Sequence, residues 1–446
     1  MPSLVEIDER WTKVRTFLAQ LERRLPGPLL GAAAFIAIVF PRSTPFCLVL
    51  FGLWGALEAR RNPTALKADL VAPVTLSLAA FAALAMLSAA WSPMPERALL
   101  KGALLLLVGA VSLLAMQLRT ALAAGRVDRA VLAGISAGIA LGLAFVAFEA
   151  VTDRSLTRLV FTHLPALREI FTGKHVKIAH GVVVRLGDTV PNRATCIASV
   201  LLIPGLLLAK EWNARLGLYL YAVLAAVFTA CVLLASHHQS SQVALLAAMV
   251  VGLLAWLGGA WARKAVVLVW CALVLLAPLG ALAMGSARLE SAPWLFETAK
   301  LRVAIWESVA EKIKEHPLLG AGATTAEQTM QVDLTGIEPA PQGAGVAVAP
   351  GTPTKQRVLR AWHPHDIYLQ VWYELGLVGV VILLLLGWSV FRSIESMPPD
   401  VQPYLLALFA LTATMAATSY GLWQFWFEGL LALSFVTASL ARAQNS

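Results

Sequence analysis

Long apolar stretches recur along the whole chain and are separated by shorter polar connections. Each stretch is close to the ~20 residues that an α-helix needs to cross about 30 Å of hydrocarbon. Because a bilayer core offers the backbone no hydrogen-bond partners, such stretches cross it as helices. The pattern predicts an all-α integral membrane protein with about twelve transmembrane helices, near residues 26–41, 44–59, 69–91, 99–117, 130–151, 194–209, 216–235, 242–261, 265–285, 367–391, 403–419 and 423–441.

The composition excludes an ordinary soluble fold. Hydrophobic residues make up 59% of the 446 residues and charged residues only 14%, whereas soluble domains carry roughly a quarter charged residues. The formal net charge of +9 does not indicate nucleic-acid binding, because the basic residues are divided among many connections and form no run with interleaved aromatics. Anionic lipid headgroups or an anionic lipid-linked substrate are the partners that this charge favours.

The basic residues of the short connections predict the orientation in the membrane, since Arg and Lys are retained on the cytoplasmic side. One side holds Arg60, Arg61, Lys67, Arg119, Arg126, Arg129, Lys210, Arg215, Arg263, Lys264 and Arg392. The short connections on the other side hold only Arg42, Arg97 and Lys101. Both termini are therefore predicted to be cytoplasmic, with residues 1–25 as an amphipathic lead-in and residues 442–446 as a tail.

Two outer connections, near 152–193 and 286–366, have the length and polarity of folded loops. The larger one separates nine predicted helices within residues 26–285 from three within 367–441. Histidine is the side chain best suited to move protons near neutral pH, and all the histidines fall on the outer side: His163, His175, His180, His237, His238, His316, His363 and His365. Histidine also avoids hydrocarbon, so chance placement in the longest polar segments is an equal alternative.

The larger loop contains a candidate surface helix at residues 300–315. Leu301, Ile305, Val309 and Ile313 recur at helical spacing, which predicts an amphipathic helix lying on the membrane surface or on the bundle. The Gly/Pro/Ala-rich residues 339–354 have no helical period. They are predicted to form a mobile flap that suits substrate entry, or to be simply disordered.

The most informative residues lead into the tenth predicted helix. His365-Asp366 is followed by nine residues, Ile367 to Leu375, and then by Gly376-x-x-Gly379. This spacing, with Leu369-Gln370 and Glu374, resembles the signature of the bacterial O-antigen ligase and polymerase superfamily. Asp366 departs from the Asn or Ser that is usual there.

Other segments are similar to the same superfamily. Arg302-Val303-Ala304-Ile305-Trp306 and Pro317-Leu318-Leu319-Gly320-Ala321-Gly322 resemble its Arg-x-x-Ile-Trp and Pro-x-x-Gly-x-Gly patterns. A third pattern is degenerate, since Gln242 follows Ser240-Ser241 where many members have arginine. Arg193 or Arg185 is the candidate to supply that charge.

The resemblance implies a GT-C-like membrane glycosyltransferase of the bacterial inner membrane with a periplasmic active site. It implies transfer of a glycan from undecaprenyl diphosphate to an acceptor hydroxyl, without a metal or other cofactor and with inversion. The expected acceptor is lipid A-core oligosaccharide, as in an O-antigen ligase, because the large outer loop with a basic helix suits that loop plan. An O-antigen polymerase or a protein O-oligosaccharyltransferase shares the signature.

Such a reaction needs a base near the hydroxyl and cations near the departing diphosphate. His365 is the candidate general base, with a helix-capping or structural role as the alternative. Arg302, and more weakly Arg185 and Arg193, are candidates to bind the diphosphate; solvated loop charges are the alternative. Three further residues are candidates to orient His365 or the acceptor: His363, Tyr368 and Glu374.

Two other classes of site are weighed and disfavoured. The sequence has no Asp-x-Asp pair of the kind that holds a divalent ion, its four cysteines lie far apart, and adjacent His237 and His238 point away from each other, so no metal site is expected. A transporter or flippase for a lipid-linked glycan would need charged residues lining a path through the midplane. The predicted spans are nearly free of them.

Overall fold

A computed structural model of the chain describes residues 16, 20, 23–166, 176–187, 189–212, 215–329, 331–333 and 358–441. Its first half contains α1 (Pro26–Val39), α2 (Thr44–Arg61), α3 (Pro63–Leu70), α4 (Pro73–Leu87), α5 (Pro95–Ala123), α6 (Ala130–Val151), α7 (Ser155–His163), β1 (Val176–Ala179), β2 (Val182–Leu186), α8 (Thr189–Glu211) and α9 (Arg215–Ala235). Its second half contains α10 (Gln239–Ser286), α11 (Glu297–Ile313), α12 (Ala326–Thr329), β3 (Gln331–Asp333), β4 (Val358–Arg360), α13 (Ile367–Glu395), α14 (Gln402–Thr418) and α15 (Phe425–Leu440).

The bundle is that of a multi-pass α-helical membrane protein, and each of the twelve apolar stretches overlaps a helix. Among the described residues, seven helices are long and apolar enough to cross a membrane, and α1, α14 and α15 are shorter apolar helices. The all-α membrane class is thus confirmed, whereas the number twelve stays a prediction. The core lies around α8, because 83% of the residues in the apolar stretch of this helix are buried inside the protein.

The 48-residue α10 is two helices joined at Gly259, whose φ of 51° and ψ of −122° are not helical. A straight helix of this length would extend about 70 Å. Both of its ends nevertheless lie against α11, since Thr298 Oγ1 donates to Gln239 Oε1 at 2.7 Å and Gly285 packs against Glu307. The chain therefore reverses near Gly259, close to the end of the stretch predicted at 242–261 and before the one predicted at 265–285.

The two long connections contain secondary structure. The first holds α7 and the antiparallel hairpin β1–β2, and the second holds α11, α12 and the two-stranded β3–β4. The predicted amphipathic helix is confirmed as α11, whose buried Ile305, Val309 and Ile313 pack against Leu369 and Tyr373 of α13. It lies on the bundle. The predicted flap at 339–354, the tail at 442–446 and nearly all of the N-terminal lead-in fall outside the described residues.

The two glycine motifs of the sequence dock onto each other. Ala321 N and Gly322 N donate to the carbonyls of Tyr373 and Glu374 at 2.9 Å each, and Leu377 N donates to Pro317 O at 2.9 Å. The pairing is possible because α13 is interrupted at Gly376, whose φ is 62°. The freed backbone groups of the interruption are thereby satisfied by the 317–322 segment.

Gly376→Ala is expected to lower thermal stability strongly. An added Cβ would lie 2.4 Å from the Leu318 carbonyl carbon and 2.6 Å from Gly320 N, and a positive φ itself costs a non-glycine residue about 1–3 kcal/mol. Thermal unfolding in detergent measures the effect. Gly280→Ala is the matched control, because nothing lies within 4 Å of its added Cβ. Equal melting temperatures for the two variants would contradict this account of the docked motifs.

Candidate functional site

His365 stands immediately before the capped start of α13. The Asp366 carboxylate accepts hydrogen bonds from Tyr368 N at 2.8 Å and Leu369 N at 3.1 Å. Asp, Asn and Ser are all favoured at this capping position. The departure of Asp366 from the usual Asn or Ser therefore preserves the cap, and the cap fixes the backbone beside His365.

The imidazole of His365 is held in one tautomer. Its Nδ1 lies 2.8 Å from the carbonyl oxygen of Ser419. A carbonyl can only accept, so Nδ1 carries the proton and the neutral ring has its lone pair on Nε2. Within the part of the chain that the structure describes, no hydrogen bond reaches Nε2, and His365 is only partly buried. Its φ of 59° is a left-handed conformation that a non-glycine residue rarely adopts.

His363 and His238 lie in the same cluster. The backbone N–H of His365 donates to His363 Nδ1 at 3.2 Å, and the two imidazole centroids are 4.2 Å apart. The buried His238 contacts Ser241 Oγ through Nδ1 at 2.5 Å and Ser419 Oγ through Nε2 at 3.2 Å. His238 thus reaches the residue whose carbonyl orients His365.

Arg302 is brought to this cluster by α11. Its guanidinium lies 3.4 Å from Ser240 Oγ, which donates to Thr418 O at 2.9 Å, next to Ser419. One turn further along α11, Trp306 Nε1 donates to Pro364 O at 2.9 Å. The Arg-x-x-Ile-Trp pattern therefore has a physical reason: Ile305 packs in the core, Trp306 holds the His365 loop, and Arg302 faces the histidines.

Arg193 approaches from α8. Its guanidinium stacks over Trp426 at 5.4 Å from the ring centroid, and Trp426 Nε1 donates to Gln424 Oε1 at 2.9 Å. The Gln424 amide in turn contacts His363 Nε2 at 2.9 Å. Within the described residues, neither Arg302 nor Arg193 forms an ion pair with a carboxylate, so two partly buried cations meet here without an internal counter-ion.

Comparisons with known proteins agree with this geometry. Residues 224–384 match the sequence profile of a family described as O-antigen ligase. The resemblance to the O-antigen ligase family is confirmed. A protein of Rickettsia conorii described as a "Putative polysaccharide ligase" is 28% identical over 130 residues, which are 29% of this chain and 28% of that protein. A protein of Rickettsia bellii with the same description is 29% identical over 130 residues, 29% of each chain.

The family match includes His365, Arg302 and His238 but not the whole cluster. The matched regions span less than a third of either relative. Arg193 on α8 and the 419–424 turn between α14 and α15 lie outside residues 224–384. The matched region thus supplies one side of the site, and the flanking helices supply the other.

Burial and neighbouring arginines keep the histidines neutral. Burial, followed by the positive charge of Arg302, lowers the pKa of His365 to about 4 and that of His238 to about 3. The pKa of His363 is also lowered well below its usual value, chiefly by burial and then by His365. At neutral pH the positive charge of the site therefore resides on the arginines, and His365 can accept a proton.

Protein stability is expected to fall as the pH drops from about 6.5 towards 4. The folded-state pKa of His365 lies below that of an unfolded histidine, so the unfolded chain binds more protons in this range and gains relative stability. The contribution is complete above pH 6.5 and is lost as the pH falls through about 4, with a magnitude of about 3 kcal/mol. Melting temperatures of wild type and His365→Asn from pH 8 to 4 measure it.

The expected difference between the two curves is a shallower acid slope for His365→Asn. His316→Asn is the control, because His316 is exposed and its replacement should leave the slope unchanged. Identical slopes for all three proteins would show that His365 is not held neutral by the fold.

The remaining predicted site residues lie elsewhere. Tyr368 is in the core, where its hydroxyl donates to Ala413 O at 3.0 Å and accepts from Trp270 Nε1 at 3.2 Å. Glu374 accepts the backbone N–H groups of Thr324 and Ala326. The structure does not bring either side chain to the His365 ring. The side chain of Arg185 lies outside the described part of the chain.

Gln242, which stands where the resemblance leads us to expect arginine, makes contacts that stabilise the fold. Its Nε2 donates to the carbonyls of Val232, Leu233 and Ser236 at 2.9 to 3.3 Å, and so caps the end of α9. The charge beside Ser240 comes instead from Arg302. No three His, Cys, Asp or Glu side chains among the described residues are arranged to hold a metal ion.

A cavity of about 360 Å³ adjoins the cluster through Arg193. Its walls are mostly apolar, with Phe35, Phe145 and Val160 among them, and its polar residues include Arg42 and His237. Its charged residues besides Arg193 are of both signs: Arg42, Arg154, Glu149 and Asp153.

Proposed function

We propose that this protein is an O-antigen ligase, which transfers O-antigen polysaccharide from undecaprenyl diphosphate to lipid A-core oligosaccharide on the periplasmic face of the inner membrane. The observation that carries the proposal is a neutral His365, whose Nε2 accepts no hydrogen bond from the described residues, beside Arg302 and within the O-antigen ligase match. The family and the relatives support a ligase-type enzyme, and the donor, acceptor and membrane side are part of the proposal.

In this mechanism the acceptor hydroxyl donates a hydrogen bond to His365 Nε2 and attacks the anomeric carbon of the donor glycan. The new C–O bond forms as the bond to the diphosphate oxygen breaks, with inversion at that carbon. His365 takes the hydroxyl proton, and undecaprenyl diphosphate leaves. Ser419 holds the proton on Nδ1 so that Nε2 faces the reaction as the base.

Arg302 and Arg193 stabilise the departing diphosphate. They are partly buried cations without a carboxylate partner among the described residues, which favours an anionic ligand between them. Binding of the diphosphate also offsets the positive charge of Arg302 that lowers the pKa of His365. The donor therefore makes His365 a stronger base in the complex than in the free enzyme. The apolar walls of the adjoining cavity suit the first isoprene units of the donor.

The decisive experiment incubates purified protein with undecaprenyl diphosphate-linked O-antigen, in detergent with a chelator, and offers one acceptor at a time. A ladder on lipid A-core alone supports the ligase. Ladders on O-antigen alone would identify a polymerase, and modified peptide would identify a protein O-oligosaccharyltransferase. If the protein transfers glycan to no acceptor but moves the donor across the membrane of reconstituted vesicles, the enzyme assignment is wrong and the protein is a flippase.

A further inference from the structure

The turn formed by residues 419–424 holds the three histidines of the cluster together. Ser419 accepts from His365 through its carbonyl and contacts His238 through its hydroxyl. Gln424, at the other end of the turn, contacts His363. The orientation of His365 therefore depends on where this turn lies, although the turn is 54 residues away in sequence and outside the family match.

Two buried residues of α13, Gln370 and Glu374, hold the turn in place through hydrogen bonds. Gln370 Oε1 accepts the backbone N–H of Leu422 at 2.8 Å. Gln370 Nε2 donates to Glu374 Oε1 at 3.1 Å, and Trp423 Nε1 donates to Glu374 Oε2 at 2.5 Å. Each end of the Gln370 amide is used, so the side chain cannot rotate without losing both hydrogen bonds.

The Glu374 carboxylate is fully enclosed by hydrogen-bond donors. Besides Gln370 and Trp423, it accepts from Thr324 N at 2.9 Å and Ala326 N at 3.1 Å. Glu374 and Gln370 have exposed fractions of 0% and 1%, so loss of one partner leaves another buried group unsatisfied. This makes the position of the turn rigid relative to α13.

The contacts form a closed ring. His365 directly precedes the cap of α13, and Gln370 lies in the second turn of that helix. From Gln370 the ring passes to Leu422, along the backbone to Ser419, and back to Nδ1 of His365. The helix thus holds His365 twice, once through the backbone and once through the turn.

We propose that Gln370 and Glu374 are positioning residues that act through the 419–424 turn to hold His365 as the Nδ1-protonated tautomer. Without them the turn loosens, and the Ser419 carbonyl no longer selects the tautomer. In part of the population Nε2 then carries the proton, so that this nitrogen cannot take the proton of the acceptor hydroxyl. The effect on transfer rests on the proposed function. The effect on the tautomer does not.

Nitrogen NMR of ¹⁵N-histidine-labelled protein in detergent tests the proposal, with the His365 signals assigned by subtracting the His365→Ala spectrum. Wild type should show one Nδ1-protonated tautomer, and Gln370→Leu a mixture of two. Gln117→Leu is the matched control: Gln117 is also fully buried and donates Nε2 to a carboxylate, that of Asp69 at 2.7 Å. That control should keep the wild-type spectrum at His365.

Trp423→Phe provides a second variant should Gln370→Leu fail to fold, because it removes the hydrogen bond to Glu374 but keeps an aromatic side chain and both hydrogen bonds of Gln370. It should show the same mixture to a smaller extent. A single Nδ1-protonated tautomer in folded Gln370→Leu or Trp423→Phe, identical to wild type, would overturn the proposal.

Transfer rates connect the tautomer to the reaction. Gln370→Leu should lower the turnover number by roughly 10²-fold with little change in the donor KM, and should have no further effect in a His365→Ala background. An additive loss in that background would refute action through His365. If wild type transfers no glycan yet the tautomers behave as expected, the proposed function fails and the positioning network stands.

Discussion

Replacement of His365 by alanine should lower the rate of glycan transfer by about 10² to 10⁴, the usual contribution of a general base in position. The loss should appear in the turnover number, because in the proposed mechanism the arginines bind the diphosphate. The donor should therefore still raise the melting temperature of the variant. Purified wild type and variant, donor, lipid A-core and chelator are sufficient for the measurement.

Two further variants separate catalysis from structure at this position. His365→Asn retains a side-chain N–H that can donate to the Ser419 carbonyl but has no basic nitrogen, so it should be as inactive as the alanine variant. His316→Ala replaces an exposed histidine of the same long connection, residues 286–366, and should be fully active. Substantial transfer by His365→Asn would assign His365 a hydrogen-bonding role and remove it as the base.

The features that could be predicted from the sequence are those that depend on local periodicity or on a motif of closely spaced residues. Apolar length located the helices, helical spacing located the buried face of α11, and the residues from His365 to Gly379 identified the family. Asp366 was an apparent irregularity of that motif, and the helix cap explains why it is tolerated. These features are encoded within segments of about twenty residues or fewer.

Contacts between distant segments could not be predicted in the same way. Nothing in the residues around Ser419 or Gln424 indicated that their turn meets His365 and His363, because neither belongs to a motif. In the sequence, His238 stands out only as one of the histidines predicted on the outer side and as the neighbour of His237. A weak signal did exist, since Ser419 and Gln424 are polar residues between two apolar helices on the side predicted to hold the histidines.

Arg302→Met should produce the second large effect, a loss of roughly 10²- to 10³-fold in kcat/KM, as expected when a charged donor to a developing anion is removed. The donor KM should rise as well, because the proposed mechanism has Arg302 contact the diphosphate before and during its departure. Arg302→Lys should be intermediate, since an ammonium keeps the charge without the planar fork that suits a diphosphate. Steady-state rates at varied donor concentration measure both parameters.

The same variant changes the chemistry of His365 in a direction that can be checked without substrate. Burial and then the positive charge of Arg302 lower the pKa of His365 to about 4, so removal of that charge should raise the pKa, while the effect of burial remains. Arg97→Met is the matched control, because Arg97 is a solvent-accessible arginine that pairs with Glu327. This variant should leave both the pKa of His365 and the kinetics unchanged.

A raised pKa of His365 in Arg302→Met with wild-type kinetics would mean that Arg302 lies beside His365 without binding the donor. Unchanged kinetics together with an unchanged titration would remove Arg302 from the site, because a cation close enough to stabilise the leaving diphosphate is also close enough to disfavour a charged imidazole beside it.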